Sequence, residues 1–389
     1  MSAEFLPGNH IELLETGSEF FPALLAAIDR AVCEIHLETY IFADDATGRQ
    51  IAEALAAAAR RGVKVRVLID GFGARDFPVA FAHAFAEAGV ELAIYRQEAL
   101  RLPLRRNRLR RLHRKLAAID GQIAFVGGIN IIDDADTPDL GPRFDYAVRV
   151  TGPLVTRICQ VMTRLWRLVG WVRLQRRPPP LPLPACMGDT TAGAMTAALV
   201  IRDNIGHRRD IEDAYLAAIA GARTELLLAS AYFLPGRRFR HALHDAAARG
   251  VAVTILLQGQ VEYALLHYAT QALYRNLLDN GVRIREYHAG FLHAKVAVID
   301  QQWATVGSSN IDPFSLLLAR EANVIVRDGP FAARLRTSLL GAIERDSREI
   351  TGDDLRRSPL WSRSLRWAAY GLVRLLLGLT RYGGSDYRE

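Results

Sequence analysis

Residues 112–130 read Leu112-His113-Arg114-Lys115-Leu116-Ala117-Ala118-Ile119-Asp120 and, after a short spacer, Gly127-Gly128-Ile129-Asn130. The pattern returns at 292–310 as Leu292-His293-Ala294-Lys295-Val296-Ala297-Val298-Ile299-Asp300 and Gly307-Ser308-Ser309-Asn310, so His, Lys, Asp and Asn each recur at an offset of 180. One His-x-Lys-x4-Asp arises by chance in ordinary composition. Two in register, each leading to a Gly-x-x-Asn, mark an internal repeat of domain size, far longer than any solenoid period.

The repeat extends on both sides of the motifs. Ala26 to Tyr40 is mirrored by Ala217 to Tyr232, Arg61-Gly62-Val63 by Arg249-Gly250-Val251, Gly89 to Tyr95 by Gly281 to Tyr287, and Phe144 to Pro153 by Arg320 to Pro330. Within one copy, Phe20 to Arg30 has helical spacing and Cys33 to Phe42 is rich in β-branched and aromatic residues. Ile51 to Arg61 is an Ala-rich helix stopped by Gly62, and Val63 to Asp70 alternates as a strand. The pattern predicts an α/β fold of two similar domains, each a mixed sheet flanked by helices. Residues 1–175 form the first, 196–350 the second, and 351–389 a basic amphipathic tail. The linker is 176–195, where Arg176-Arg177-Pro178-Pro179-Pro180-Leu181-Pro182-Leu183-Pro184 cannot sustain a helix or a central strand.

His113 and Lys115 are two residues apart, so on a strand they project from one face, as do His293 and Lys295. Asp120 would lie roughly 23 Å along an extended chain from His113, too far to bond its imidazole. Asp120 and Asp300 therefore read as turn or capping carboxylates. Asp145 and Glu321, at equivalent places opening the following strand, are better placed to orient the imidazoles and fix their tautomers. Two His, two Lys and two Asn related by a pseudo-two-fold suit a tetrahedral phosphate at the domain junction. The lysines, Asn130 and Asn310 would donate to non-bridging oxygens. One imidazole can attack phosphorus while the other protonates the leaving oxygen, which requires opposite protonation states.

At 389 residues, half of them apolar, the chain can bury two cores; its formal charge of +7 and pI near 9.5 favour a polyanionic partner. Cys33, Cys159 and Cys186 are few and scattered, so neither a disulfide framework nor a thiolate zinc site is expected, and a reducing compartment fits. The amino-terminal sequence has no basic region followed by an apolar core, and no stretch reaches the roughly 18 uninterrupted apolar residues of a membrane span.

These motifs resemble the phospholipase D superfamily, whose signature is a duplicated His-x-Lys-x4-Asp-x6-Gly-Ser-x-Asn. The second copy fits throughout; in the first, Gly128 stands where Ser is usual. Within that superfamily the chain is most similar to bacterial cardiolipin synthases of the B type. The likeness is carried by Ile11 to Glu15, Leu37-Glu38-Thr39, Arg111 to Lys115, Phe125 to Gly128, Arg202-Asp203-Asn204, Ala231-Tyr232-Phe233 and Trp303 to Pro313. The resemblance implies two mixed sheets, one shared active site, no cofactor and no metal. It implies catalytic motif residues His113, Lys115, Asp120, His293, Lys295 and Asp300, with Ser308 joining Asn130, Asn310, Asp145 and Glu321 around the substrate phosphate. His113 would form a covalent phosphatidyl intermediate and His293 act as acid, then base. The enzyme would be a phosphatidyltransferase moving a phosphatidyl group between two phosphatidylglycerol molecules, releasing glycerol.

The partner that this implies is an anionic phospholipid membrane, met at its cytoplasmic face by a peripheral protein. Arg101 to Lys115 (RLPLRRNRLRRLHRK) interleaves eight basic residues with leucines, as a segment resting on anionic head groups would. Thr156 to Arg177, with Trp166 and Trp171, reads as a second interfacial helix. Pro359 to Leu379, with Trp361 and Trp367, reads either as an interfacial helix or as one packed on the second domain. A phosphodiesterase hydrolysing phospholipid or nucleic acid is the rival enzyme. A nucleic-acid partner is not expected, because the basic clusters lack a stacking platform. A silent phosphate-binding scaffold is disfavoured by intact His and Lys in both copies, and no obligate protein partner is identifiable.

Overall fold

The computed structural model describes residues 3–379 except 76, 97–109, 136, 138–140, 173–190, 204–205, 314 and 316–317. Three sequence expectations therefore lie largely outside the described residues: the basic run at 101–109, the proline-rich linker, and the last ten residues of the tail.

In the first half the strands are β1 (Leu6–Glu15), β2 (Glu34–Thr39), β3 (Lys64–Asp70), β4 (Glu91–Tyr95), β5 (Lys115–Ile119), β6 (Ile123–Gly127), β7 (Arg143–Phe144) and β8 (Tyr146–Thr151). The second half supplies β9 (Met195–Arg202), β10 (Glu225–Ser230), β11 (Ala252–Gln258), β12 (Arg283–Tyr287), β13 (Phe291–Leu292), β14 (Lys295–Ile299), β15 (Trp303–Gly307), β16 (Glu321–Arg327) and β17 (Ser347–Ile350). The motif strands β5 and β14 are buried along their whole length, which is why they read as continuous apolar runs.

The first half orders its strands β1-β8-β6-β5-β2-β3-β4, and the second β9-β16-β15-β14-β10-β11-β12, with β17 added at the edge. The two orders correspond strand for strand, so the repeat is a repeat of topology. The halves are joined edge to edge by antiparallel pairing of β1 with β9, so one 15-stranded sheet replaces the two separate sheets expected.

Helices α1 (Thr16–Arg30), α2 (Ala46–Arg60) and α3 (Val79–Ala88) cover one face of the first half. In the second half α5 (Asp210–Gly221), α6 (Arg237–Ala248) and α7 (Ala264–Asp279) do the same. On the opposite face α4 (Leu154–Val172) and α8 (Gly329–Asp346) pack against strands of both halves, forming a single core that runs across the junction. Leu154, Ile158, Met162 and Leu335 are fully enclosed there. Each such side chain contributes about 1.5–3 kcal/mol by leaving water, and this core is shared by both halves.

This packing corrects one expectation. Residues 156–172 form a core helix, not an interfacial one: its apolar stripe meets the sheet, and Trp166 packs beside His36 and Arg66. The tail divides its faces. A short helix, α9 (Gly352–Arg357), leads into α10 (Leu360–Leu379), which buries Ala369 and Val373 in the core under α7. Trp361, Leu365, Trp367, Leu372, Leu375 and Leu376 remain exposed on α10. Among the described residues no helix is long and apolar enough to cross a membrane. Cys33 is disulfide-bonded, against the expectation of free thiols, while Cys159 is a buried free thiol.

Candidate active site

Each motif histidine sits just before a buried strand, on a segment that crosses to the other half. The backbone N–H of His113 donates to the carbonyl of Arg320 at 3.0 Å, and that of His293 to the carbonyl of Phe144 at 2.9 Å. Around them Leu112 bridges Arg320, and β13 pairs with β7 in parallel. Arg320 and Phe144 immediately precede Glu321 and Asp145. These two backbone crossings therefore set each imidazole opposite the carboxylate of the other half.

His113 Nδ1 lies 3.0 Å from Oε1 and 3.1 Å from Oε2 of Glu321; His293 Nδ1 lies 2.6 Å from Oδ2 of Asp145. A carboxylate on Nδ1 fixes the tautomer that leaves Nε2 as the reactive nitrogen. Lys115 Nζ donates to the carbonyl of His113 at 2.6 Å, Lys295 Nζ donates to the carbonyl of His293, and Lys295 also reaches Asp145 at 3.3 Å. Four motif residues and two carboxylates thus form one cluster drawn equally from both halves.

The Gly128 departure has a steric reason. A Cβ at Gly128 would lie 2.4 Å from both carboxylate oxygens of Asp145. In the other half Ser308 donates its hydroxyl to Glu321 at 2.5 Å and is itself completely buried. The shorter aspartate occupies the space of the missing hydroxymethyl group, whereas the longer glutamate reaches past it. Ser308 orients a carboxylate in this structure instead of facing a phosphate.

Asn130 accepts the N–H of Ile41 at 3.1 Å and Asn310 that of Tyr232 at 3.4 Å, both through Oδ1. Neither Nδ2 makes a hydrogen bond to another described residue, so both remain available as donors. Asp120 and Asp300 stand apart from the cluster. Asp120 and Gly121 both have positive φ, 53° and 64°, and Gln122 N closes on the carbonyl of Ile119, which makes the type I′ hairpin between β5 and β6. Asp120 accepts the N–H groups of Val32, Cys33 and Glu34; Asp300 likewise accepts those of Arg223, Thr224 and Glu225. The resemblance grouped these aspartates with the catalytic residues; their oxygens are instead engaged with backbone at the helix-to-strand junction.

The electrostatics are those of a site awaiting an anion. Burial, with help from Lys295, lowers the His293 imidazole to about 3 despite Asp145, and burial also lowers His113 against the pull of Glu321. Burial pushes Lys115 down to about 7, Glu321 opposing it, and lowers Lys295. Burial would raise Asp145, but Lys295 and His293 outweigh it and keep the carboxyl below its usual range. Burial therefore favours neutral imidazoles and disfavours the lysine charges, and a negative charge placed between them would favour the protonated forms. Among the described residues no three His, Cys, Asp or Glu side chains are grouped to hold a metal.

Two contacts escaped sequence reading. The Tyr40 ring lies 4.9 Å from that of His113 and 5.4 Å from Lys115 Nζ. Arg114, read as part of the basic membrane segment, is buried on the opposite face of the strand and paired with Glu38. The alternation of side chains along an extended segment was the available signal for Arg114; Tyr40 matches Ala231 in the repeat, so the repeat carried no signal for it.

The family described as "Cardiolipin synthase, PLD-like domain" matches residues 24–166 and 215–341. Cardiolipin synthase B of Salmonella typhi and that of Escherichia coli are each 39% identical over 386 residues, covering 96% of this chain and 90% of the relative. Cardiolipin synthase A of Yersinia pseudotuberculosis is 32% identical over 92% of this chain and 73% of its own length. Among solved structures, a phosphatidylserine synthase of Haemophilus influenzae superposes with a TM-score of 0.68 at 14% identity, covering 96% of this chain and 95% of that one, which shows a shared fold.

Proposed function

We infer the chemistry of this site from one premise: the chain belongs to the phospholipase D-like cardiolipin synthase family. The reading it supports is cardiolipin synthesis by phosphatidyl transfer from one phosphatidylglycerol to another. The observation that carries it is the crossed pair of His–carboxylate couples with a lysine beside each. We assign His113 as nucleophile. Its Nε2 attacks phosphorus, the bond from phosphorus to the head-group oxygen breaks, and His293 delivers its proton to the departing glycerol. The hydroxyl of a second phosphatidylglycerol then gives its proton to His293 and bonds to phosphorus as the bond to His113 breaks. Lys115, Lys295 and the Nδ2 groups of Asn130 and Asn310 hold the non-bridging oxygens, and Glu321, Asp145 and Ser308 hold the imidazoles. Asp120 and Asp300 brace the hairpins behind them.

We place the protein peripherally at the cytoplasmic face of the membrane, with the exposed aromatic and aliphatic side chains of α10 toward the lipid. Residues 1–175 and 196–350 remain the two proposed domain units, with 176–195 as linker and 351–389 as tail.

The test incubates purified protein with phosphatidylglycerol vesicles in chelator and quantifies cardiolipin, phosphatidic acid and glycerol. Equimolar cardiolipin and glycerol is the expected result, with His113→Ala and His293→Ala each reduced by roughly 100-fold or more. Phosphatidic acid without cardiolipin would instead mean hydrolysis, and cleavage of DNA without any lipid product would discard the lipid reading.

A further inference from the structure

The two halves differ where equivalent strands end beside the site. β3 ends at Asp70 and β11 at Gln258, and each accepts the N–H of the residue before a motif histidine: Leu112 to Asp70 Oδ2 at 2.7 Å, Leu292 to Gln258 Oε1 at 3.3 Å. The second oxygen of Asp70 takes the N–H groups of Phe72 and Gly73, so the first half leaves nothing over. Gln258 instead presents an amide nitrogen that is buried and has no partner among the described residues; the side chain is 7% exposed. A buried donor without an acceptor is costly, so a strand end that retains one calls for an occupant.

Gln258 lines a cleft with Tyr232, Gln260, Glu262 and Tyr263. The Tyr232 hydroxyl donates to Glu262, and the rings of Tyr232 and Tyr263 lie 5.8 Å apart. Ala74, which stands as far beyond Asp70 as Glu262 stands beyond Gln258, is buried in the core and brings no carboxylate. The cleft therefore offers a buried amide donor and a carboxylate acceptor beside the segment that carries His293. A phosphate would be repelled by Glu262, an acyl chain would leave the Gln258 donor unsatisfied, and a cation would meet the amide hydrogens. A hydroxyl, donor and acceptor at once, satisfies both.

We propose that this cleft is the polyol subsite of the enzyme, holding the glyceryl head group of the departing and of the accepting lipid by Gln258 Nε2 and the Glu262 carboxylate. The proposal rests on the phosphatidyl-transfer reading. One hydroxyl anchored in the cleft places its neighbour at phosphorus. There it forms the new oxygen–phosphorus bond while the bond to His113 breaks, its electron pair returns to the imidazole, and the proton passes to His293. Water has no second hydroxyl to anchor, so the subsite favours transfer over hydrolysis.

The experiment supplies phosphatidylglycerol vesicles with isotope-labelled glycerol and ethanol as competing acceptors. It measures labelled phosphatidylglycerol against phosphatidylethanol for wild type, Gln258→Glu, Glu262→Gln and Tyr232→Phe. Both products come from one intermediate, so their ratio is independent of how fast that intermediate forms. Gln258→Glu keeps the acceptor for Leu292 and replaces the spare donor with a carboxylate oxygen; Tyr232→Phe removes the hydroxyl that holds Glu262 and keeps the ring. The expected result is a glycerol-to-ethanol ratio that falls about fivefold or more in each variant, the effect of one lost hydrogen bond. Transfer with an unchanged ratio overturns the subsite alone and means that the cleft holds only water. Absence of transfer by wild type to either alcohol overturns the underlying reading and the subsite with it.

Discussion

At the scale of single residues, Asp145 and Glu321 perform one task at two lengths, and the residue facing each is fitted to that length. Gly128 makes room for the short carboxylate and Ser308 supports the long one. Gly128→Ser should therefore displace Asp145 from His293 and cost about 1–3 kcal/mol of stability by overpacking, with a marked loss of activity. Adding Asp145→Glu recreates the second-half arrangement in the first and should recover part of that activity, as lipid-transfer rates of the single and double variants would show. The sequence also separates two classes of aspartate. Asp145→Asn is expected to lower kcat by roughly 100-fold or more. Asp120→Asn, which weakens a carboxylate accepting three backbone N–H groups, should instead destabilise by about 1–3 kcal/mol in urea. A well-folded Asp120→Asn with a purely chemical defect would contradict this division.

At the scale of elements, the segment entering β5 shows how one stretch carries two programmes. His113 and Lys115 serve the site, and Arg114 between them turns to the opposite face and pairs with Glu38 of β2 in a buried couple. The equivalent positions are Ala294, just before β14, and Ala229 in β10, both buried, so the repeat itself contains the neutral alternative. Arg114→Ala leaves Glu38 buried and unpaired and should cost about 3–5 kcal/mol, whereas the Arg114→Ala/Glu38→Ala double variant should regain much of it. Denaturant titration of the three proteins measures the coupling directly. The helix α10 makes a parallel division, with Ala369 and Val373 packed on the protein and Trp361 and Trp367 outward. Trp361→Ser/Trp367→Ser should weaken sedimentation with anionic vesicles severalfold at unchanged thermal stability, since neither indole contributes to the core. Deleting the whole helix would be a poorer test, because it strips the cover from α7.

At the scale of the whole molecule, the closed junction makes the site a single electrostatic unit. Burial pushes Lys115 down to about 7 and His293 down to about 3. An anion at the junction favours the charged forms, so both groups gain affinity for protons when it arrives. Near pH 8, where a Lys115 lowered to about 7 is mostly neutral, anion binding should be accompanied by net proton uptake. Titration calorimetry with a short-chain phosphonate analogue, in buffers of different ionisation enthalpy, reads that number. Proton release, or none, would show that the lysines are already charged. The same reasoning gives kcat/KM a basic limb that falls as pH rises through about 7.

The sequence alone determined the repeat, the α/β order of each copy, the paired His and Lys residues and the exclusion of Asp120 and Asp300 from contact with the imidazoles, because strand periodicity and chain reach are local properties. It did not determine that His113 is held by Glu321 and His293 by Asp145. Equivalent residues in a duplicated chain can pair within a copy or across the pseudo-two-fold, and both arrangements leave the same pattern in the sequence. Nor could an apolar stripe on residues 156–172 declare whether it faces lipid or sheet, since burial in either has the same driving force. Only the β1–β9 junction and the two backbone crossings at Arg320 and Phe144 decided those questions, by bringing strands from opposite halves within hydrogen-bond distance.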